Sequence, residues 1–150
     1  MTDETFEEFK KISWAEYGSN FSEVENIPGE IGIKNAMEQF ARLVPNGLDS
    51  DGQYFFDVVE DQSGEMIGFL WLGLQTRFGR AVLSINDISI VESRRGQGFG
   101  KALMKCVELE ANKYGAKRIR LHVFQHNEAA RKLYSSMGFQ VSSVDMFKLI

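Results

Sequence analysis

The stretch Ile88-Ser89-Ile90-Val91-Glu92-Ser93-Arg94-Arg95-Gly96-Gln97-Gly98-Phe99-Gly100-Lys101-Ala102-Leu103 passes from a strand through a glycine loop into a helix. Leu83, Ile85, Ile88 and Ile90 supply the apolar and β-branched content that favours extended backbone before the loop. After it, Phe99, Ala102, Leu103, Cys106, Val107 and Leu109 recur at helical spacing, with Lys101, Lys105, Glu108 and Asn112 on the other side. A helix is therefore predicted to start near Gly98. A glycine loop that opens a helix leaves backbone N–H groups without partners, and these together with the positive end of the helix dipole attract an anion. Glycine suits such a loop because it accepts positive φ and puts no side chain between the amides and a guest. A glycine-rich turn with no guest is the alternative reading of the same residues.

Two familiar phosphate motifs fail on these residues. A P-loop needs Ser or Thr after its Gly-Lys pair, whereas Ala102 follows Gly100-Lys101, and Arg95 stands where the first glycine should be. A dinucleotide fingerprint needs Gly-x-Gly-x-x-Gly and an acidic residue after the next strand. Here the glycines are 96, 98 and 100, and the next strand ends in Phe124-Gln125-His126-Asn127.

What remains, Arg95-x-x-Gly98-x-Gly100, resembles the acyl-CoA signature of the GNAT superfamily of N-acetyltransferases. A second segment strengthens the match: Leu121 to Phe124, then Asn127-x-x-Ala130-x-x-x-Tyr134 and Gly138-Phe139, is similar to the family's C-terminal motif of strand, helix and Gly-Phe. The resemblance covers residues 54–150 well and residues 1–50 poorly. It implies an α/β fold with a mixed, mostly antiparallel sheet flanked by helices and a splayed parallel strand pair. It also implies one domain over residues 1–150, with residues 1–50 a helical acceptor-side region and residues 54–150 the cofactor-binding core.

Composition bounds the rest. A chain of 150 residues with 43% hydrophobic and 25% charged residues reads as an ordinary globular domain, large enough to bury a core without staples. No apolar run reaches membrane-span length and the first 20 residues are acidic rather than signal-like, so a cytoplasmic location and no membrane partner are expected. Lone Cys106 is expected to be a small buried residue of the helix. The net charge of -4 hides an asymmetry: residues 1–30 hold eight acids against two bases, and residues 94–150 four acids against eleven bases. The basic half holds the candidate anion site, the acidic half would suit a cationic acceptor, and solvated surface charge explains the latter equally well. The acidic total speaks against a nucleic-acid partner.

Along the chain, Phe6, Phe9, Ile12 and Tyr17 predict an amphipathic helix over residues 3–17, and Gly18, Pro28 and Gly29 predict a loop over 18–30. Ile33, Met37, Phe40, Ala41 and Val44 form the stripe of a second helix ended by Pro45. Three runs, 54–60, 66–74 and 81–91, read as an antiparallel meander. The helix from Gly98 to Tyr114 leads to a parallel strand over 118–124, a helix over 127–137, and two closing strands over 139–144 and 146–150. The first strand that the family has ahead of its first helix is not visible.

The resemblance implies acetyl-CoA as cosubstrate, no metal, and direct transfer to a primary amine of a small molecule or peptide. Dimers are common in the family, so a homodimer is one expected state. The cofactor would be held by Arg95, Gly96, Gln97, Gly98, Phe99, Gly100 and Lys101 at its pyrophosphate, by the backbone of Ile90 and Val91 along the pantetheine, and by Asn127. Tyr134 stands where the family's acid lies, and a phenol of ordinary pKa about 10 is matched to protonating a thiolate. A core aromatic is its other reading. Asp87 interrupts an apolar strand and is the candidate base or amine anchor, with a half-exposed strand residue as the alternative and Glu92 a weaker base. Asn127 also reads as a helix N-cap, and His122 and His126 lack any metal or nucleophile pattern. A CoA-binding regulatory module without catalysis, or use of another acyl-CoA, fits the same motifs.

Overall fold

The computed structural model describes residues 1–148 and 150. Helices α1 (Asp3–Glu25) and α2 (Gly29–Leu43) are followed by the hairpin strands β1 (Gln53–Val59), β2 (Met66–Arg77) and β3 (Arg80–Ile90). Helix α3 (Phe99–Lys113) then crosses to β4 (Arg118–Leu121), and α4 (Glu128–Ser136) follows. The sheet order is β1-β2-β3-β4, antiparallel except for the parallel pair β3–β4. This is the mixed sheet expected from the meander and the crossover helix. No helix among the described residues is long and apolar enough to cross a membrane.

Alternation along the strands divides the sheet into two apolar faces. Leu70, Leu72, Leu83 and Ile85 pack on Met104 and Val107 of α3 and Tyr134 of α4. On the other face Phe55, Phe69 and Trp71 meet Phe6 and Phe9 of α1 and Phe40 of α2. Ring centroids there lie 4.9 to 6.4 Å apart, a range in which edge and tilted aromatic contacts add to area burial.

Several predicted details are corrected. Helix α1 continues through Gly18 to Glu25 instead of breaking, and Asn26 in the left-handed region ends it. A Cβ on Gly18 would lie 2.6 Å from Ile33 Cα, and one on Gly32 would lie 2.3 Å from the Gly18 carbonyl oxygen. These glycines let α1 and α2 cross in backbone contact, so Gly18 is a packing residue. Phe40 of α2 and Val44 at its end are buried as predicted, but Gly32 and Ala36 take the inner positions expected of Ile33 and Met37, which are exposed together with Ala41. Cys106 is exposed, not buried. The inner face of α3 is Leu103, Met104, Val107 and Ala111, which turns Ala102, Cys106 and Leu109 to solvent.

Strand β4 ends at Leu121 rather than Phe124, and residues 139–148 form no strand. Val141, Val144 and Met146 are exposed there. Alternating apolar residues make a strand only where a sheet edge pairs with them, and Ser142, Ser143 and Asp145 thin the apolar content of this run. The predicted last strand also includes residue 149, which lies outside the described residues.

Candidate active site

Strands β3 and β4 pair only from Val82↔Arg118 to Ile85↔Leu121, while β3 continues to Ile90. The parallel pair therefore parts after Ile85. The parting coincides with a bulge, since Trp71 faces Asp87 and Leu72 faces Ile85, which leaves Asn86 as the extra residue. Beyond the bulge the backbone keeps its alternation. Val91 N–H donates to Ile67 C=O at 2.9 Å, so the Ile90 backbone points away from β2, toward the gap. The Ile90 carbonyl accepts a hydrogen bond from Arg95 Nε at 2.8 Å, and the Val91 carbonyl accepts one from Arg94 N–H at 2.9 Å.

The three loop glycines serve two purposes. Gly96 and Gly98 adopt φ of +73° and +91°, and a Cβ on either would meet no protein atom within 4 Å. Gly98 is the N-cap of α3 and has no side chain to cap it, so the first-turn amides stay open. Gly100 differs, because its Cβ would lie 3.0 Å from Leu133 Cδ2, and its absence lets α3 approach α4. Gln97 Nε2 closes the loop on the Ser93 carbonyl at 2.9 Å. Arg94 is drawn aside into ion pairs with Glu60 and Glu65, which leaves Arg95 and Lys101 as the exposed cations of the loop.

At the gap lies a cavity of about 450 Å³ whose walls come from both sides of the sheet, α1 and α2 on one and Ala130 and Tyr134 of α4 on the other. It brings Asp87, Asn127 and Tyr134 together, whereas Ile90, Val91 and residues 95–101 stand apart at the C-terminal end of β3. Asp87 is half-buried, and Ser13 Oγ of α1 donates a hydrogen bond to its Oδ2. Its pKa is pushed up, first by burial, with the Glu16 charge adding to the shift and the Ser13 and Ile88 hydrogen bonds opposing it. Tyr134 is buried, and burial together with the charge of Asp87 raises its pKa, so the phenol holds its proton at neutral pH. Asn127 Oδ1 accepts the Ala130 N–H at 3.1 Å, which makes it the N-cap of α4 while its amide remains at the cavity wall.

Helix α1 supplies what sequence reasoning missed. Ser13, Glu16 and Tyr17 line the cavity, and the only sequence signal was a small polar residue, Ser13, on the buried stripe of Phe6 and Phe9. The segment after β4 folds back over this helix. Phe124 lies 5.7 Å from the Tyr17 ring, and His126 Nε2 hydrogen-bonds Asn20 Oδ1 at 2.7 Å. His126 thus ties two cavity walls together, and among the described residues no group of three potential metal ligands forms.

A parallel strand pair parts beside an uncapped glycine loop, with a proton-holding phenol and a carboxylate in the adjoining cavity. Residues 6–139 match the sequence model of the Acetyltransferase (GNAT) family, and the chain belongs to that family. It is 34% identical, over 99% of its length and 94% of the relative's, to the uncharacterized N-acetyltransferase YdgE of Bacillus subtilis. The crystal structure of YycN from the same organism aligns with all of this chain and 95% of its own at a TM-score of 0.92 and 26% identity. Streptothricin acetyltransferase of Streptomyces lavendulae is 32% identical over 66% of this chain and 50% of the relative.

Proposed function

We propose that the chain is an acetyl-CoA-dependent N-acetyltransferase acting on a primary amine. The observation that carries this reading is the gap after Ile85 and Leu121, with open backbone amides at one end and Asp87 and Tyr134 in the cavity at its side. The residues fit the cosubstrate: Gly96 and Gly98 leave room for a diphosphate against the first turn of α3, and Arg95 and Lys101 add positive charge. Gln97 and Phe99 shape the loop and the helix start, and Asn127 offers its free amide from the facing helix. The Ile90 N–H in the gap can donate to a pantetheine carbonyl as in an added strand, while its own carbonyl is held by Arg95 Nε, and Val91 borders the same path.

Acetyl-CoA, when bound, supplies an acetyl thioester whose C–S bond gives way to the new N–C bond. Asp87 takes a proton from the acceptor ammonium, directly or through water, and its raised pKa makes it a stronger base than an ordinary carboxylate. Tyr134 Oη gives its proton to the departing sulfur, and its raised pKa keeps that proton in place until then. The nitrogen sheds its second proton as the C–S bond breaks, and that proton, relayed through water, restores the Tyr134 phenol; the net products are an amide, free CoA and the one proton that Asp87 returns to solvent.

The test is acetyl-CoA-dependent thiol release across a panel of small amines, peptides and aminoglycosides. Release that requires both acetyl-CoA and an amine supports the reading. Acetyl-CoA binding with no transfer to any acceptor overturns it in favour of a non-catalytic CoA-binding module.

A further inference from the structure

The cavity is charged at both ends. Trp71 of β2 belongs to the aromatic cluster on the α1/α2 side, and it pairs in register with Asp87. Residues in register share a face, so Gly73, Ser84 and Arg120, which are partners across β2, β3 and β4, face the same side as Asp87. Alternation along β2 adds Gln75 and Arg77. Of these, Gln75, Arg77, Ser84 and Arg120 line the cavity together with Asp87 and Glu16. Helices α1 and α2 cover Trp71 and its aromatic neighbours but leave this polar floor open.

Neither Arg77 nor Arg120 makes an ion pair among the described residues, and Arg120 is exposed within the cavity wall. They are badly placed for the cosubstrate's phosphates. Ser84, which marks the level of Arg120, precedes Ile90 by six residues along β3, roughly 20 Å of extended strand less the bulge. That exceeds the Debye length of about 8 to 10 Å over which exposed charges act at ordinary salt. The acidic end is much closer: Asp87 lies three residues from Ser84, about 10 Å or less along the strand.

We propose that the acceptor is a dipolar amine: its ammonium sits between Asp87 and Glu16, and an oxyanion group on the same molecule, a carboxylate or a phosphate, is held by Arg120 with Arg77 beyond it. The inference rests on the acetyltransferase reading for its chemistry but not for its recognition. A guanidinium reads a carboxylate or a phosphate by paired N–H donors, which a neutral or cationic tail cannot satisfy. The three-residue offset along β3, about 10 Å or less of backbone, suits a short linker between the two charges, such as that of an ω-amino acid. The face that carries the anion is the face that carries Asp87, so both ends can be held while the nitrogen meets the gap.

The experiment compares ω-aminopentanoate, pentylamine, diaminopentane and aminobutylphosphonate as acceptors, by thiol release and, with CoA present, by calorimetric binding. In the wild-type chain kcat/KM for ω-aminopentanoate should exceed that for pentylamine by about 10- to 100-fold, the value of one charge-assisted hydrogen-bonded pair. Arg120→Gln should bring that ratio close to one, and Arg120→Glu should invert the preference toward diaminopentane, a gain that misfolding cannot produce. The phosphonate arm tells a phosphate-bearing acceptor from a carboxylate-bearing one. Equal use of pentylamine, a wild-type preference for diaminopentane, or a ratio insensitive to both Arg120 variants overturns the proposal. Binding that prefers ω-aminopentanoate without any thiol release would leave the dipolar site standing and remove the transferase reading. No preference in either measurement removes the dipolar site.

Discussion

The two ends of β3 offer a ligand different kinds of group. Past Ile90 the groups on offer are backbone amides, bared by Gly96 and Gly98 and aligned by the start of α3. Near Ser84 and Asp87 they are side chains from three strands and from α1, brought together only when the chain folds. A backbone site needs a particular conformation, and conformation leaves its mark as glycines at fixed spacing. A side-chain site needs only proximity, and proximity across 74 residues, as between Ser13 and Asp87, leaves no local mark.

That contrast can be broken from either end, and the largest effect is expected at the loop. Gly98→Glu places a side chain and a negative charge where φ is +91° and the amides are open, so calorimetry should detect no acetyl-CoA binding. Retained binding would remove the loop from the cosubstrate site. Tyr134→Phe should lower kcat by about 10² to 10⁴ and change acetyl-CoA affinity little. An undiminished rate would assign Tyr134 to the core alone.

Asp87→Asn should cost about 10² in kcat and yet raise thermal stability at neutral pH. Because the folded-state pKa of Asp87 lies above the ordinary carboxylate value, the folded chain binds more protons than the unfolded one between those two values. Its contribution is therefore fully present at acid pH and is lost as pH rises through the folded pKa. Melting curves should show the variant ahead of wild type at neutral pH and level with it below about pH 4. The opposite order would mean that the carboxylate stabilises the fold through Ser13. The smallest effect belongs to the crossing of α1 and α2, which line the cavity. Gly18→Ala would force Ile33 Cα away from a 2.6 Å approach and should cost about 1 to 3 kcal/mol, a fall in Tm of roughly 2 to 4 °C per kcal/mol.

The same division sorts what was legible in the sequence. The meander, α3 and the parallel strand followed from period and turn residues, because each is decided within a dozen neighbours. Gly18 and Cys106 misled for a common reason. Gly18 reads locally as a breaker and is required by another helix, while Cys106 reads as apolar and is turned outward by the residues that win the core, Leu103, Met104 and Val107. Within the site, Asp87 and Tyr134 were visible as an acid in an apolar strand and a tyrosine at a motif position. Glu16, Arg77 and Arg120 were indistinguishable from solvated surface charge until the sheet put them around one cavity.

The most direct test of the account is calorimetric titration of the wild-type chain with acetyl-CoA and, separately, with S-acetylpantetheine, which has the thioester but no diphosphate. If the open amides of the loop hold the diphosphate, acetyl-CoA binds at one site per chain and at least tenfold more tightly, the equivalent of about 1.4 kcal/mol. Equal affinities, or no binding of acetyl-CoA, would contradict it.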